Sequence, residues 1–535
     1  MNGKLFFWAI STALAGLLFG FDTVVISGAE ATIQHLWNLS GSMHGLAISS
    51  ALWGTVLGAM TGSFPTERYG RKKTLTIVGF LYFVSALGSA IAWNVTSFTF
   101  FRFIGGVGIG FATVASPLFI AEISPAKDRG KLTALFQFNI VFGILLAFLS
   151  NFIISQLFPP ETAWRWMLGA EALPAFIYLI MCFGLPESPR YLIVNRGEIE
   201  QAKNVLRQIN PEMSEQELDN LIAEVKAASN VDNPEQKQKK VPFFTRRLRY
   251  PILYAFLIAA FNQLSGINII LYFAPRLLDL AGLSDPLLAA ISLGITNFIF
   301  TLMGVRFIDK LGRKTLLLIG CIGYIISLGV CTYAFVSVTP LKVVSACTDV
   351  VNSAKQVKNI PNTPDLLPED RDSILAKYDH AKEVMFAVVT PDNFKGPALT
   401  VNKNSSVDEI LRQAGEIKVI AAKEVGGVSL VVLGCMILFI ASHAIGSGTI
   451  IWVFISEIFP TENRAAGQSL GSSTHWIFAA GLTLFFPIVM AHFDAGVMFG
   501  FFCLMMCTQL VWAVVMMPET KGQTLEALAR KLVRA

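Results

Sequence analysis

Charge is what this sequence has least of. Only 15% of its 535 residues are Asp, Glu, Lys or Arg, against about 25% in soluble domains, which argues against a soluble enzyme of this length. Cysteine is sparse and unorganised. The seven cysteines lie mostly in apolar stretches, with no CxxC pair and no Cys/His ligand spacing, so they set up neither a disulfide framework nor a metal site. A GxxxxGK[ST] loop is also missing: Arg129-Gly-Lys-Leu lacks the upstream glycine, which disfavours an ATP-driven pump. The net charge of +5 is modest and its basic residues gather in one set of loops, so it does not argue for nucleic acid. No motif implies a cofactor. What fills the space is apolar: 53% hydrophobic residues and a mean hydropathy of +0.57.

The apolar residues come in runs. Segments suited to membrane helices, which need ~20 apolar residues each, fall near 6–28, 46–64, 74–93, 97–120, 132–156 and 166–185. After a polar stretch six more follow, near 250–274, 286–308, 314–337, 427–456, 466–490 and 495–517. The first is too long for the ~7–15-residue core of a cleavable signal peptide, and it holds Asp22. Basic clusters occupy alternate loops: Arg68 to Lys73, Lys127 to Lys131, Arg246 to Arg249, Lys310 to Lys314, Arg464, and Lys521 to Lys531. The positive-inside bias assigns those loops and both termini to the cytoplasm. The expectation is an all-α integral membrane protein of twelve transmembrane helices, multi-pass in the cell (plasma or inner) membrane.

The halves echo each other. Glu67-Arg-Tyr-Gly-Arg-Lys72 matches Asp309-Lys-Leu-Gly-Arg-Lys314, 242 residues later. Glu122-Ile-Ser-Pro matches Glu457-Ile-Phe-Pro at an offset of 335, and Pro186-Glu-Ser-Pro matches Pro518-Glu-Thr-Lys at 332. The jump of about 90 between these offsets locates extra sequence between helices nine and ten. The expected organisation is therefore an N-terminal six-helix half (1–186), a cytoplasmic linker (187–249), helices seven to nine (250–339), an extracytoplasmic insertion (340–425), helices ten to twelve (426–522) and a cytoplasmic tail (523–535). Ile199 to Ala227 has helical apolar spacing, read either as surface helices or as a solvated linker. The insertion has helical-looking runs at ~368–388 and ~407–424. It reads either as a cap that meets a partner or funnels substrate, or as a tolerated loop expansion, since long surface insertions cost little.

Several motifs then occur together. They are Gly70-Arg71-Lys72 and Gly312-Arg313-Lys314, Arg102-Phe-Ile-Gly-Gly-Val-Gly-Ile-Gly110, and Pro186-Glu-Ser-Pro-Arg190. Gln263-Leu-Ser-Gly-Ile-Asn268 and Pro518-Glu-Thr-Lys-Gly522 complete the set. In this order they resemble the sugar porters of the major facilitator superfamily, and among those the bacterial D-xylose:proton symporters. The resemblance covers nearly everything except ~340–425. It implies the two-half major facilitator fold, a monosaccharide substrate, and a site between the halves near the bilayer midplane.

Asp22 and Arg102 are lone charges inside helices of the first half. Intramembrane charges cost several kcal/mol unless paired, solvated or protonated. The resemblance implies that these two pair. Burial favours a protonated carboxyl and a neighbouring guanidinium an ionised one, so joining and separating them would bind and release a proton. A permanent structural ion pair is the alternative. Sugar hydroxyls need neutral donors and acceptors beside aromatic faces. Gln137, Asn262, Gln263, Asn268, Tyr272, Asn297, Trp452, His475 and Trp476 stand where the family places such contacts or close by; interhelical hydrogen bonding is the other role open to the amides. Tyr272 and Phe273 resemble outer-gate aromatics, with Gly266 a hinge. Asn262 departs from a Gln-Gln pair, Ser447-Gly448-Thr449 from a Gly-Pro, His475 from an Asn or Gln, and His443 from a Phe. These departures blur the choice of pentose over hexose.

Arg71, Glu122, Arg129 and Glu187, with Arg313, Glu457, Arg464 and Glu519 as their repeats, fall at cytoplasmic helix ends. The resemblance makes them an inner-gate charge network. Topology-setting charges and helix caps describe them too, but would not explain why Glu-x6-Arg recurs in both halves. Gly106 and Gly110 read as GxxxG packing. The expected function is proton-coupled import of a monosaccharide by alternating access, with the lipid bilayer as surroundings. A facilitative uniporter and a non-transporting sugar sensor are the rivals. A membrane enzyme is weaker still, because no nucleophile–base or metal constellation lies at membrane depth.

Overall fold

The structure is a computed structural model that describes residues 3–125, 128–228, 242–363, 366–460, 463–523 and 532. Among these residues every regular element is a helix. Twelve are long and apolar enough to cross a membrane. Spans one to six are Gly3–Gly28, Gly41–Thr61, Arg71–Ala90, Val95–Ile123, Gly130–Leu157 and Pro160–Phe183. Spans seven to twelve are Arg246–Tyr272, Pro286–Leu311, Arg313–Ser337, Val407–Ile458, Arg464–Val489 and Ala495–Val515.

Close helix packing in the first half rests on small residues. A Cβ at Gly106 of span four would run into the carbonyl oxygen of Ala51 in span two, and one at Gly110 would meet the backbone of Gly58 and Ala59. Spans two and four therefore touch backbone to backbone, as the GxxxG spacing requires. Span one packs on span five and span nine on span twelve; the two halves meet where span two lies along span eleven and span five along span eight.

The ends of the bundle differ. One end, the basic face, carries Arg71 and Arg313 at the starts of spans three and nine. At the far face the halves are pressed together. A Cβ at Gly45 in span two would strike the Leu484 carbonyl of span eleven, and one at Gly41 would lie 3.2 Å from the Pro487 carbonyl oxygen.

Residues 187–228 form surface helices that include Ile199–Ile209 and Glu215–Ala228. The described residues of 340–425 also fold. Helices Thr339–Asn359 and Pro368–Val388 are followed by Val407–Ile445, which starts in the insertion and runs on without interruption into span ten. Its 39 residues reach about 58 Å at ~1.5 Å per residue, roughly twice the ~30 Å hydrocarbon thickness, so the N-terminal half projects beyond it. Gly446 interrupts span ten before Ser447–Ile458. That break lies where Ser447-Gly448-Thr449 replaces the Gly-Pro.

Candidate functional site: a buried charge pair beside a polar cradle

Asp22 and Arg102 meet. Arg102 Nη1 donates to Asp22 Oδ1, and Nη2 donates to the Asp22 carbonyl at 3.2 Å. Both residues are buried, at 1% and 2% exposure. The sequence reading missed a third member of this group. Glu171 of span six is 2% exposed and its carboxyl faces Asp22 within interaction range of Arg102. Among the described residues Asp22 Oδ2 and Glu171 Oε1 are both buried without a hydrogen-bond donor. Two carboxylates against one guanidinium leave one negative charge in excess, and a single proton on the carboxylates balances it. The signal was available in the sequence, since Glu171 lies inside the sixth apolar run and meets the same test as Asp22.

Span seven brings the neutral cradle. Its first helix ends at Leu264, Gly266 adopts φ +88°, and a second helix runs Ile267–Tyr272. A left-handed φ suits glycine. The break sets Gln263 and Asn268 side by side: Asn268 Nδ2 donates to Gln263 Oε1 at 3.0 Å, and Gln263 Nε2 donates to Asn262 Oδ1 at 3.1 Å. Gln263 Nε2 also lies 3.0 Å from His475 Nε2 in span eleven. The His475 ring is tilted against Trp452 of span ten at 5.2 Å and edge-on to Trp476 at 4.8 Å. Trp476 touches Phe19 of span one at 5.7 Å, across the boundary between halves. The cradle thus joins Asn262, Gln263, Asn268, His475, Trp452 and Trp476.

Gln137 and Asn297 are not in that hydrogen-bonded set. Gln137 is half-buried on span five, and Asn297 Oδ1 accepts from Thr301 Oγ1 in its own helix at 3.4 Å. His443 is engaged elsewhere, its Nδ1 lying 2.6 Å from the Tyr324 hydroxyl. Tyr272 is buried and lies within electrostatic range of Asp22 and Arg102. Phe273 packs on Phe486 at 4.4 Å and on the edge of His44 at 6.0 Å, which brings the end of span seven against spans two and eleven at the closed far face.

At the basic face the same construction occurs twice. Glu187 Oε1 accepts from the backbone N–H groups of Arg71 and Lys72 at 2.8 and 3.2 Å. Glu519 does the same for Arg313 and Lys314 at 3.0 and 3.1 Å. Each carboxylate satisfies unpaired donors at a helix N-terminus, where negative charge is favoured. Gly70 and Gly312, at φ +95° and +90°, leave room for it, since a Cβ there would collide with the carboxylate. Arg71 grips Glu122 with two bonds of 2.8 and 2.9 Å, and Arg313 Nη2 bonds Glu457 at 2.8 Å. Ser188 and Thr520 donate to those same two glutamates at 2.5 and 2.6 Å.

The Arg71–Glu122 side chains are 9% and 5% exposed, so this pair is buried. Every pair just described lies within one half. Among the described residues Arg464 Nε and Nη2 are buried with no hydrogen-bond partner, and the Arg129 side chain lies outside the described residues.

Comparison with known proteins agrees in extent and in kind. A family model described as "Sugar (and other) transporter" matches residues 8–351 and 414–532, skipping most of the insertion. The glucose transport protein of Synechocystis is 30% identical over 529 residues, spanning 96% of this chain and 95% of that protein. The D-xylose-proton symporter of Escherichia coli K12 is 28% identical over 567 aligned positions, spanning 98% and 95%. Among solved structures, the inward open conformation of the xylose transporter XylE from E. coli superimposes with a TM-score of 0.71 at 26% identity, covering 98% of this chain and 99% of that one.

Proposed function

Because this chain belongs to the sugar transporter family, with the twelve-helix fold of its structural neighbours, we propose that it imports a monosaccharide of the xylose or hexose class together with a proton. The observation that carries the proposal is the buried group of Asp22, Glu171 and Arg102. A symporter needs a buried negative charge that one proton can neutralise, and a carboxylate in excess of its cation at membrane depth supports that reading over a uniporter. Tyr272, on the same span as Gln263 and Asn268, lies within electrostatic range of that group, which supports a coupling of the two sites.

In this reading sugar and proton enter from the far face. The sugar hydroxyls exchange hydrogen bonds with Gln263, Asn268 and His475 while Trp452 covers an apolar ring face. Closure of the far face and opening of the basic face release both. In the same reading that face and both termini lie in the cytoplasm, which the positive-inside bias of the basic loops supports. The alternation is a rocking of two halves about a fixed site, and the carboxylate-capped clusters at Arg71 and Arg313 keep each half rigid while it moves. The test is uptake of radiolabelled xylose and glucose into proteoliposomes with and without an inward proton gradient. Uphill accumulation that Asp22→Asn abolishes, with sugar exchange retained, supports the proposal. Uphill accumulation by Asp22→Asn would sink it.

A further inference from the structure

The insertion is tied to the two halves in different ways. Toward the second half the tie is covalent and ionic. Its last helix is continuous with span ten, Lys418 pairs with Asp279 at 2.8 Å, and Ser429 Oγ of the same helix donates to the Ala281 carbonyl at 2.6 Å. Toward the first half three hydrogen bonds among the described residues are made by neutral groups, while Lys377 of the insertion lies within electrostatic range of Glu30. Gln356 Nε2 donates to the Leu39 carbonyl at 3.0 Å, Asn359 Nδ2 to the His35 carbonyl at 2.8 Å, and Asn38 Nδ2 to Thr363 Oγ1 at 2.9 Å. All three acceptor or donor positions on the first half lie in the connection between spans one and two. Asn38 there has φ +46°, the one non-glycine positive φ among the described residues, so the backbone is turned to meet the insertion.

Beneath this contact the same two halves are joined again. Arg276, beyond span seven, donates to Glu30 at 2.9 Å and to Gln34 at 2.5 Å, while Glu30 also lies 3.2 Å from His44 Nε2. The contact therefore crosses the boundary that has to part when the far face opens.

We propose that residues 340–425 form a latch, a module built onto span ten that clasps the span one–two connection and holds the far face closed. Hydrogen bonds between neutral amide, carbonyl and hydroxyl groups are individually weak, which suits a contact that is made and broken in each cycle. The long helix gives the latch its leverage: unclasping lets the insertion swing with span ten, and Trp452 of the cradle lies on that span beyond Gly446. The proposal rests on the transport reading and goes beyond it in assigning the insertion a part in the cycle.

The experiment is a reversible staple. In the full chain, Asn38→Cys and Thr363→Cys replace the 2.9 Å hydrogen-bonded pair, and diamide oxidises the two thiols to a disulfide; oxidised native protein is the control. The reduced variant is expected to take up sugar like the native protein. The oxidised variant is expected to lose at least 90% of uptake, to regain it on reduction, and to keep sugar binding in detergent. Equal uptake in both redox states overturns the latch. Loss of binding together with uptake also overturns it, because the staple would then have deformed the cradle rather than blocked an opening. Absence of uptake in the reduced variant and the native protein alike would instead bring down the transport reading on which the latch rests.

Discussion

Gly266 is where the backbone shapes the proposed sugar site, and replacing it with alanine isolates that role. At φ +88° an L-residue costs roughly 1–2 kcal/mol. The added Cβ would stand 2.7 Å from two ring atoms of Phe502, and Phe502 is only 2% exposed, so the ring has nowhere to go. Overpacking of that kind costs about 1–3 kcal/mol. The two terms together come to about 2–5 kcal/mol, and every 1.4 kcal/mol is tenfold in an equilibrium constant. The chain can relieve the strain by straightening span seven, which would separate Gln263 from Asn268 and dismantle the cradle. Equilibrium sugar binding in detergent should therefore weaken at least ~10-fold in Gly266→Ala. Combining it with Phe502→Leu should restore the steric part and leave the backbone part, a recovery of about half in free energy. Binding by Gly266→Ala within twofold of native, with an unchanged melting temperature, would refute the reasoning.

Three further outcomes follow from the geometry. Glu187→Ala and Glu519→Ala should each lower thermal stability by about 1–2 kcal/mol through loss of a helix-capping acceptor, with Gln at either position recovering part of it in a melting assay. His475→Leu should raise the KM for sugar uptake several-fold, while His475→Asn, which keeps a polar partner for Gln263, should change preference within a panel of competing sugars more than it changes rate. His35 is held neutral, its pKa pushed down to about 3 by burial and by the positive charges of Arg276, Lys355 and Lys377. Its contribution to the docked insertion is therefore complete above pH 6.5 and is lost as pH falls below that. Asp349, raised to about 6 by burial, works in the opposite sense, losing its contribution as pH rises from about 4 to 6. Hydrogen exchange in 339–363 should therefore accelerate between pH 7 and 5 more in the native chain than in His35→Gln, after correction for the intrinsic pH dependence of exchange.

The membrane spans were readable because hydrocarbon imposes a strict rule on length and polarity, and the repeated charge motifs because two halves carry the same construction. Asp22 and Arg102 stood out for the same reason, and their meeting was implied by resemblance. The division of labour among the polar residues was harder to read. Gln263, Asn268 and His475 come together only because Gly266 turns span seven, and no periodicity encodes that turn. Glu171 passed unnoticed in an otherwise apolar run, although the rule applied to Asp22 covers it. The insertion hid two facts. Its run at 407–424 is the start of span ten rather than a separate helix, since a polarity change along one helix looks like a boundary. Its hydrogen bonds to the first half use amides on carbonyl and hydroxyl oxygens, which leave no hydropathy pattern.

The central claim is that one proton accompanies each sugar, and counting protons tests it most directly. Lightly buffered proteoliposomes held at zero membrane potential, with equal pH inside and out, receive a pulse of external sugar. External alkalinisation and labelled sugar entry are then recorded together. The account predicts about one proton per sugar, the excess of two carboxylates over one guanidinium, and sugar entry without proton entry in Asp22→Asn. Sugar entry by the native protein with no movement of protons would contradict it.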